Sequence, residues 1–338
     1  MRLLCSACLI AAATSAIVSG QPAATIAVEQ MLTQRLGSTQ NDLIKFKAGQ
    51  AVVFPVTATA DNEVAAVGAI RAKGDLRRIL AWLRDIESFM RASGTENVGA
   101  IASPATAADF ARLNINDLDF SALKTCKSDD CEIRMPPAFL KRFQTEVAWS
   151  TPNAQSQAAT LTRALVAEYV AAYQKGGDTA LGAFHNPAKP QTQHAEFQDM
   201  LRRSTKAWEF SHSFASYLES YPASAPPGTE SRFYWTRDTV NRKPTLTLHH
   251  VVLQELPGGR LLAADKQFYA SRTFDAGLMT AFGVPDAGFT TFDLVVAVKV
   301  RASAISGVAG RLMRGRIDKE VRDGLTTYLE WIKNSAAL

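Results

Sequence analysis

The chain has 338 residues, 47% of them hydrophobic, with 37 Lys and Arg against 32 Asp and Glu for a formal charge of +5. That is enough apolar material for a large core, and the composition excludes a disordered or collagen-like chain. Without a Lys/Arg block, the mild basicity gives no argument for nucleic acid as a partner.

Arg2 precedes an apolar run from Leu3 to Val18, and the small residues Ser19 and Gly20 follow. This order is that of a secretory leader, residues 1–20, with cleavage expected after Gly20 or Ala24. An uncleaved anchor is the alternative, but the run is short for a bilayer span. Cleavage after Gly20 leaves 318 residues with 36 basic and 32 acidic side chains, or +4. Cys5 and Cys8 lie inside the leader without a lipoprotein context. The expected compartment is periplasmic or extracellular, with no membrane-spanning segment in the mature chain.

Residues 25–38 read as helix, and Ala51–Val56 and Glu63–Ala72 as two strands turning at Asp61-Asn62. Asp75 is a suitable N-cap for a helix on which Leu76, Ile79, Leu80, Leu83 and Ile86 recur at helical spacing. Short helical pieces follow at 106–113, 116–123 and 137–149, the last started by Pro136-Pro137. Between them lie Cys126 and Cys131, the two cysteines of the mature chain. In an oxidising compartment they are expected to form a disulfide, contributing roughly 2 kcal/mol on the chain-entropy account. A metal or redox pair is disfavoured, because the next His is His185 and redox pairs usually have two intervening residues.

A longer helix is predicted over 156–174, stopped by Gly176-Gly177, with a loop over 186–191 and helix again over 196–221. The stretch from about 104 to 225 is thus a helical insertion. Strands are then predicted over 232–239, 245–253, 261–272, 274–282 and 292–300, with the Pro257-Gly258-Gly259 turn after the second. In the last, Phe292, Leu294, Val296, Val298 and Val300 share one face, opposite Asp293, Val295, Lys299 and Arg301. One apolar and one mixed face marks an antiparallel sheet. Helix follows over 306–333. Ile317, Val321, Leu325, Tyr328 and Ile332 lie on one side while Ile305, Val308 and Leu312 do not, which predicts a bend or break near Gly310–Gly315.

This order is an α+β fold with one antiparallel sheet and a long C-terminal helix. It resembles the START-like, or helix-grip, architecture over about 45–335, in which a curved sheet wraps a C-terminal helix around a cavity. The resemblance implies a single domain over 21–338, with the insertion as a departure from the minimal form. Four segments also resemble an uncharacterised family of exported bacterial proteins: Ala69-Ile70-Arg71 through Arg84-Asp85-Ile86, Cys126 to Cys131, Asp265-Lys266-Gln267-Phe268-Tyr269-Ala270-Ser271, and Val298 to Arg316. That family implies organisation and compartment but no chemistry.

His249 and His250 are adjacent on a strand and so face opposite sides, which rules out joint ligation of one metal from an unbroken strand. The plainer reading of each is a hydrogen-bonded core or rim histidine. Asp265, Lys266 and Tyr269 lie on the neighbouring strand, where a His–Asp pair can do acid–base work or simply stabilise the sheet. Asp293 and Lys299 become polar anchors for a ligand if their face lines a cavity, and are solvated otherwise. Arg311, Arg314, Arg316, Lys319 and Arg322 make the last helix locally basic, as a solvated face or as a contact for anionic lipid headgroups. There is no Gly-x-Ser-x-Gly elbow, phosphate-binding loop or His-Glu-x-x-His. The expected partner is an apolar or amphipathic small molecule, with no cofactor and no metal. Enzymatic use of the same cavity and envelope docking through the insertion are the alternatives.

Overall fold

The computed structural model describes residues 27–115, 120–127, 131–181, 193–203, 211–240 and 242–337. The leader over 1–20 and the loop over 186–191 lie outside the described residues. Helices α1 (Val28–Gln34) and α2 (Gln40–Lys47) precede the hairpin β1 (Val52–Pro55) and β2 (Glu63–Lys73). Thr39 and Asp42 form a capping box that starts α2, which the sequence reading had missed.

Asp75 caps α3 (Leu76–Arg84) by accepting from the Arg77 amide, and buries Leu76, Ile79, Leu80 and Leu83 on one side. Asp85 ends that helix and caps a second, α4 (Ile86–Ala92), through the Ser88 amide. Ile86 therefore opens a new helix instead of closing the first. The short edge strand β3 (Val98–Ile101) was not legible from its four residues.

The insertion carries α5 (Pro137–Glu146), α6 (Ala154–Gly176), α7 (Gln193–Arg202) and α8 (His212–Ser220). Gly177, at φ +62°, stops α6 as its sequence predicts. Cys126 and Cys131 form a disulfide. The chain returns to the sheet as β4 (Thr229–Val240), β5 (Lys243–Leu256), β6 (Arg260–Ala270), β7 (Ala276–Pro285) and β8 (Thr291–Arg301). Gly258 and Gly259, both at positive φ, turn β5 into β6.

Among the described residues the sheet has eight antiparallel strands in the order β1-β2-β8-β7-β6-β5-β4-β3. β3 and β4 are paired neighbours, so the insertion leaves one strand and returns on the next. The final helix, α9 (Gly307–Ala336), runs without interruption through Gly310–Gly315, so of the bend or break expected there the break does not occur. The conflicting stripe disappears because Ile305 precedes the helix and Leu312 points into solvent at 90% exposure.

Both sheet faces are covered. On one, α3, α4 and α9 bury Ile70, Leu294, Val296, Val251 and Leu253 beneath Leu80, Phe89, Leu325, Leu329 and Ile332. On the other, Val67, Val252, Leu262 and Val295 pack under Phe46, Phe197, Met200 and Phe214, and Leu248 and Phe268 pack under Tyr169 and Tyr173 of α6. One face of β8 is apolar and the other mixed, as its alternation predicts, but the mixed face is covered as well. The helices before β1 and within the insertion dehydrate the second face, and its charges are compensated by ion pairs. Arg301 is 2% exposed and bonds Glu63, Glu196 and Asp199 at 2.8–2.9 Å.

Candidate functional site

A cavity of about 280 Å³ opens between α9, α4 and the sheet. Tyr234 of β4, Asp265 of β6, Met279 of β7 and Val298 of β8 form its floor, while Phe89, Met90, Val321, Leu325 and Tyr328 wall it. Alternation along β8 places Val298 with Phe292, Leu294 and Val296, so the cavity lies on that face. Asp293 and Lys299 are on the opposite face, which removes them as cavity anchors. Arg71 holds Asp293 through two hydrogen bonds of 2.7 and 2.8 Å, and Lys299 lies 3.7 Å from Glu63.

The floor carries a polar network. Tyr234 Oη donates to Asp265 Oδ2 at 2.5 Å, and His249 Nδ1 lies 2.9 Å from Asp265 Oδ1. The Tyr234 and His249 rings stack with centroids 4.5 Å apart, as residues directly opposite on β4 and β5. His249 Nε2 lies 2.9 Å from Thr247 Oγ1, which is 2.7 Å from Thr236 Oγ1, and Thr236 donates to Asp238 at 2.9 Å. Counting protons along this chain fixes a tautomer. The Asp238 carboxylate only accepts, so Thr236 donates to it and Thr247 donates to Thr236. Thr247 then accepts from Nε2–H of His249, while Nδ1 faces Asp265 Oδ1. Burial raises the pKa of both the Tyr234 and Tyr328 phenols, with the nearby Asp265 carboxylate adding to it, so both hydroxyls stay protonated.

His250 points the other way, as alternation requires. Its ring is 1% exposed, with Nδ1 2.9 Å from Tyr173 Oη and Nε2 2.9 Å from Ser231 Oγ. Burial first, and the Lys266 ammonium second, hold its pKa well below the usual histidine range. A His250–Asp265 pair is excluded, since the sheet separates them. Lys266 is fully buried against Asp178 of the insertion, and Phe197 lies beneath its ammonium at 3.8 Å.

Tyr269 is displaced by a bulge. Leu248 pairs with Tyr269 but His249 with Gln267, which leaves Phe268 as an extra residue in β6. Strict alternation would place Tyr269 beside Asp265. Instead, Tyr269 and Phe268 both pack on Tyr169 of α6, and Tyr269 donates to the Arg134 carbonyl at 2.8 Å. Tyr269 also borders a second cavity of about 50 Å³ beside Phe120 and Phe143, on the α6 side.

Of the seven candidate side chains read from the sequence, Asp265 reaches the larger cavity and His249 supports it from behind. Tyr234, Tyr328 and Phe89 were not singled out, because an aromatic on a strand or on an apolar helix stripe looks like ordinary core. Among the described residues, no group of three or more His, Cys, Asp or Glu is arranged to hold a metal. No helix there is long and apolar enough to cross a membrane.

Neither a protein-family model nor a curated protein matches the chain. Among solved structures, an uncharacterized protein from Rhizobium leguminosarum aligns with 38% of this chain and 86% of its own at 16% identity, with a TM-score of 0.17. A score that low carries no argument about fold or function.

Proposed function

We propose that the protein is an exported binding protein that holds a small apolar or amphipathic molecule between its sheet and its C-terminal helix, in a helix-grip arrangement. The observation that carries this reading is the cavity of about 280 Å³ beneath α9, whose lining is mostly apolar. At ~30 Å³ per non-hydrogen atom it has room for about nine. The packing of α9 across the sheet supports the helix-grip reading, and the leader sequence with the Cys126–Cys131 disulfide supports export. At the start of α9, exposed Leu312 sits between Arg311 and Arg314, which have no ion-pair partner among the described residues. That combination suits contact with an anionic membrane surface.

Gly324 gives a test. It borders the cavity, and a Cβ built on it meets no atom within 4 Å. Gly324→Leu sets an apolar side chain across the cavity's exposed edge while improving helix propensity by roughly 0.8 kcal/mol, so the fold is retained. Isothermal titration with octan-1-ol should give saturable one-to-one binding that weakens at least about tenfold in this variant, by the loss of apolar contact. Native mass spectrometry of protein from its native host should show a co-purifying small molecule. An absence of both signals would end the binding reading.

The second reading is acid–base catalysis at the same place, favoured by the His249–Asp265 pair with its carboxylate at the cavity floor. Turnover that disappears in Asp265→Asn would identify it. The docking alternative asks for an exposed apolar patch on 104–225. Among the described residues, the large exposed hydrophobics are Ile44 and Leu312, both outside that segment.

A further inference from the structure

The cavity under α9 has an electrostatic character that its apolar area conceals. Its charged lining residues are Asp265 on the floor and Glu320 at the rim, and no Lys, Arg or His lines it. Glu320 is neutralised by Arg316 at 2.8 Å, out in solvent. Asp265 is balanced by His249, which lies behind it and does not border the cavity. A molecule inside the cavity therefore meets the carboxylate before it meets the imidazole. Around that carboxylate stand the rings of Tyr234, Tyr328 and Phe89. A ring face attracts a cation, and a carboxylate with free lone pairs accepts from an N–H donor. The same surroundings disfavour a carboxylate or a phosphate, because the lining has no cationic side chain and already holds two carboxylates.

Resting on the ligand-binding reading above, we infer that the ligand is an amphiphile with a protonated amine head, seated on Asp265 among aromatic rings, with its apolar tail toward Met279, Val298 and Leu325. Fatty acids and other anionic amphiphiles are bound more weakly on this reading. Asp265 Oδ2 accepts from Tyr234 and Oδ1 meets His249, and each oxygen keeps a second lone pair for the ammonium. His249 acts as a positioning residue. Its ring nitrogens, fixed between Asp265 and Thr247, hold the carboxylate facing the cavity.

The probes are octylamine, octan-1-ol and octanoate, which share an eight-carbon chain and match the cavity in size to within about one non-hydrogen atom. Isothermal titration of the full-length mature chain at pH 7 should rank them amine over alcohol over carboxylate. A charge-assisted hydrogen bond gives the amine an advantage of roughly tenfold or more over the alcohol. In Asp265→Asn the amine should lose its advantage over the alcohol, since the charge-assisted bond is gone while the apolar contact of both tails is the same. The ranking on the unsubstituted protein stands even if that variant does not fold. Octanoate binding as tightly as octylamine would overturn the inference, as would alcohol and amine binding equally. If none of the three binds, the ligand-binding reading falls with it, so the two failures are distinguishable.

Discussion

The Tyr234 hydroxyl donates to Asp265 Oδ2 at 2.5 Å, joining β4 to β6 across the intervening strand β5 at the floor of the α9 cavity. Both groups are shielded by α9 and α4, so the bond is made in a site of low polarity. Tyr234→Phe removes the donor and leaves Asp265 with His249 alone. The variant should lose about 1.5–3 kcal/mol of stability, the usual worth of a hydrogen bond to a charged group. Urea unfolding measures it, and an unchanged midpoint would show that the bond is not formed in solution.

His250 makes stability depend on pH. Burial keeps it neutral in the fold, whereas in the unfolded chain it takes up a proton near pH 6.5. The unfolded state then binds more protons than the native state, so stability falls as pH drops below that value. The slope is about 1.4 kcal/mol per pH unit for this one group. His250→Gln retains a hydrogen-bonding side chain without the titration. Urea midpoints between pH 5 and 7 should slope less steeply for the variant than for the parent, and equal slopes would contradict the burial argument.

Arg301 and Glu63 form a buried pair with Nε 2.9 Å from Oε2, and Glu63 is fully buried. Arg301→Met leaves that carboxylate, and those of Glu196 and Asp199, without their shared cation. A loss of up to about 3–5 kcal/mol is expected, because a buried carboxylate that keeps only Lys299 at 3.7 Å is poorly compensated and costs more than the pair contributes. Adding Glu63→Gln should recover part of it. A double-mutant cycle by chemical denaturation checks this, and strictly additive losses would mean the two residues do not interact.

Gly68 of β2 lies directly under α9, where a Cβ would come 2.6 Å from Leu329 Cδ1 and 3.0 Å from Leu325. Gly68→Ala should cost about 1–3 kcal/mol through overpacking. Leu329→Ala alone should cost about 2–5 kcal/mol through cavity formation. The double variant should be less destabilised than the sum, since the added methyl occupies space the leucine vacates. Thermal melts of the four proteins decide it.

The local elements were legible because their causes are local. Asp75 caps its helix through an amide two residues away, Gly258-Gly259 supply the positive φ of their turn, and the alternation over 292–300 fixes which residues share a face. The opposite orientation of His249 and His250 follows from the same rule. The candidate site was legible only in part. Strict alternation would put Tyr269 on the face of Asp265, and one extra residue at Phe268 moves it to the other side. Asp293 and Lys299 read as possible anchors until the enclosed face was known.

Sequence alone determined the order of the longer elements, the mainly antiparallel character of the C-terminal half, the cysteine pairing and the sidedness of the strands without a bulge, all set by neighbours a few residues apart. Tertiary structure decided which face holds the cavity, which helices cover the other, and which distant groups meet. Tyr234 and Asp265 are 31 residues apart, and Arg301 and Glu63 are 238 apart. Such meetings depend on strand order and on the path of the insertion between β3 and β4, and no local spacing encodes either.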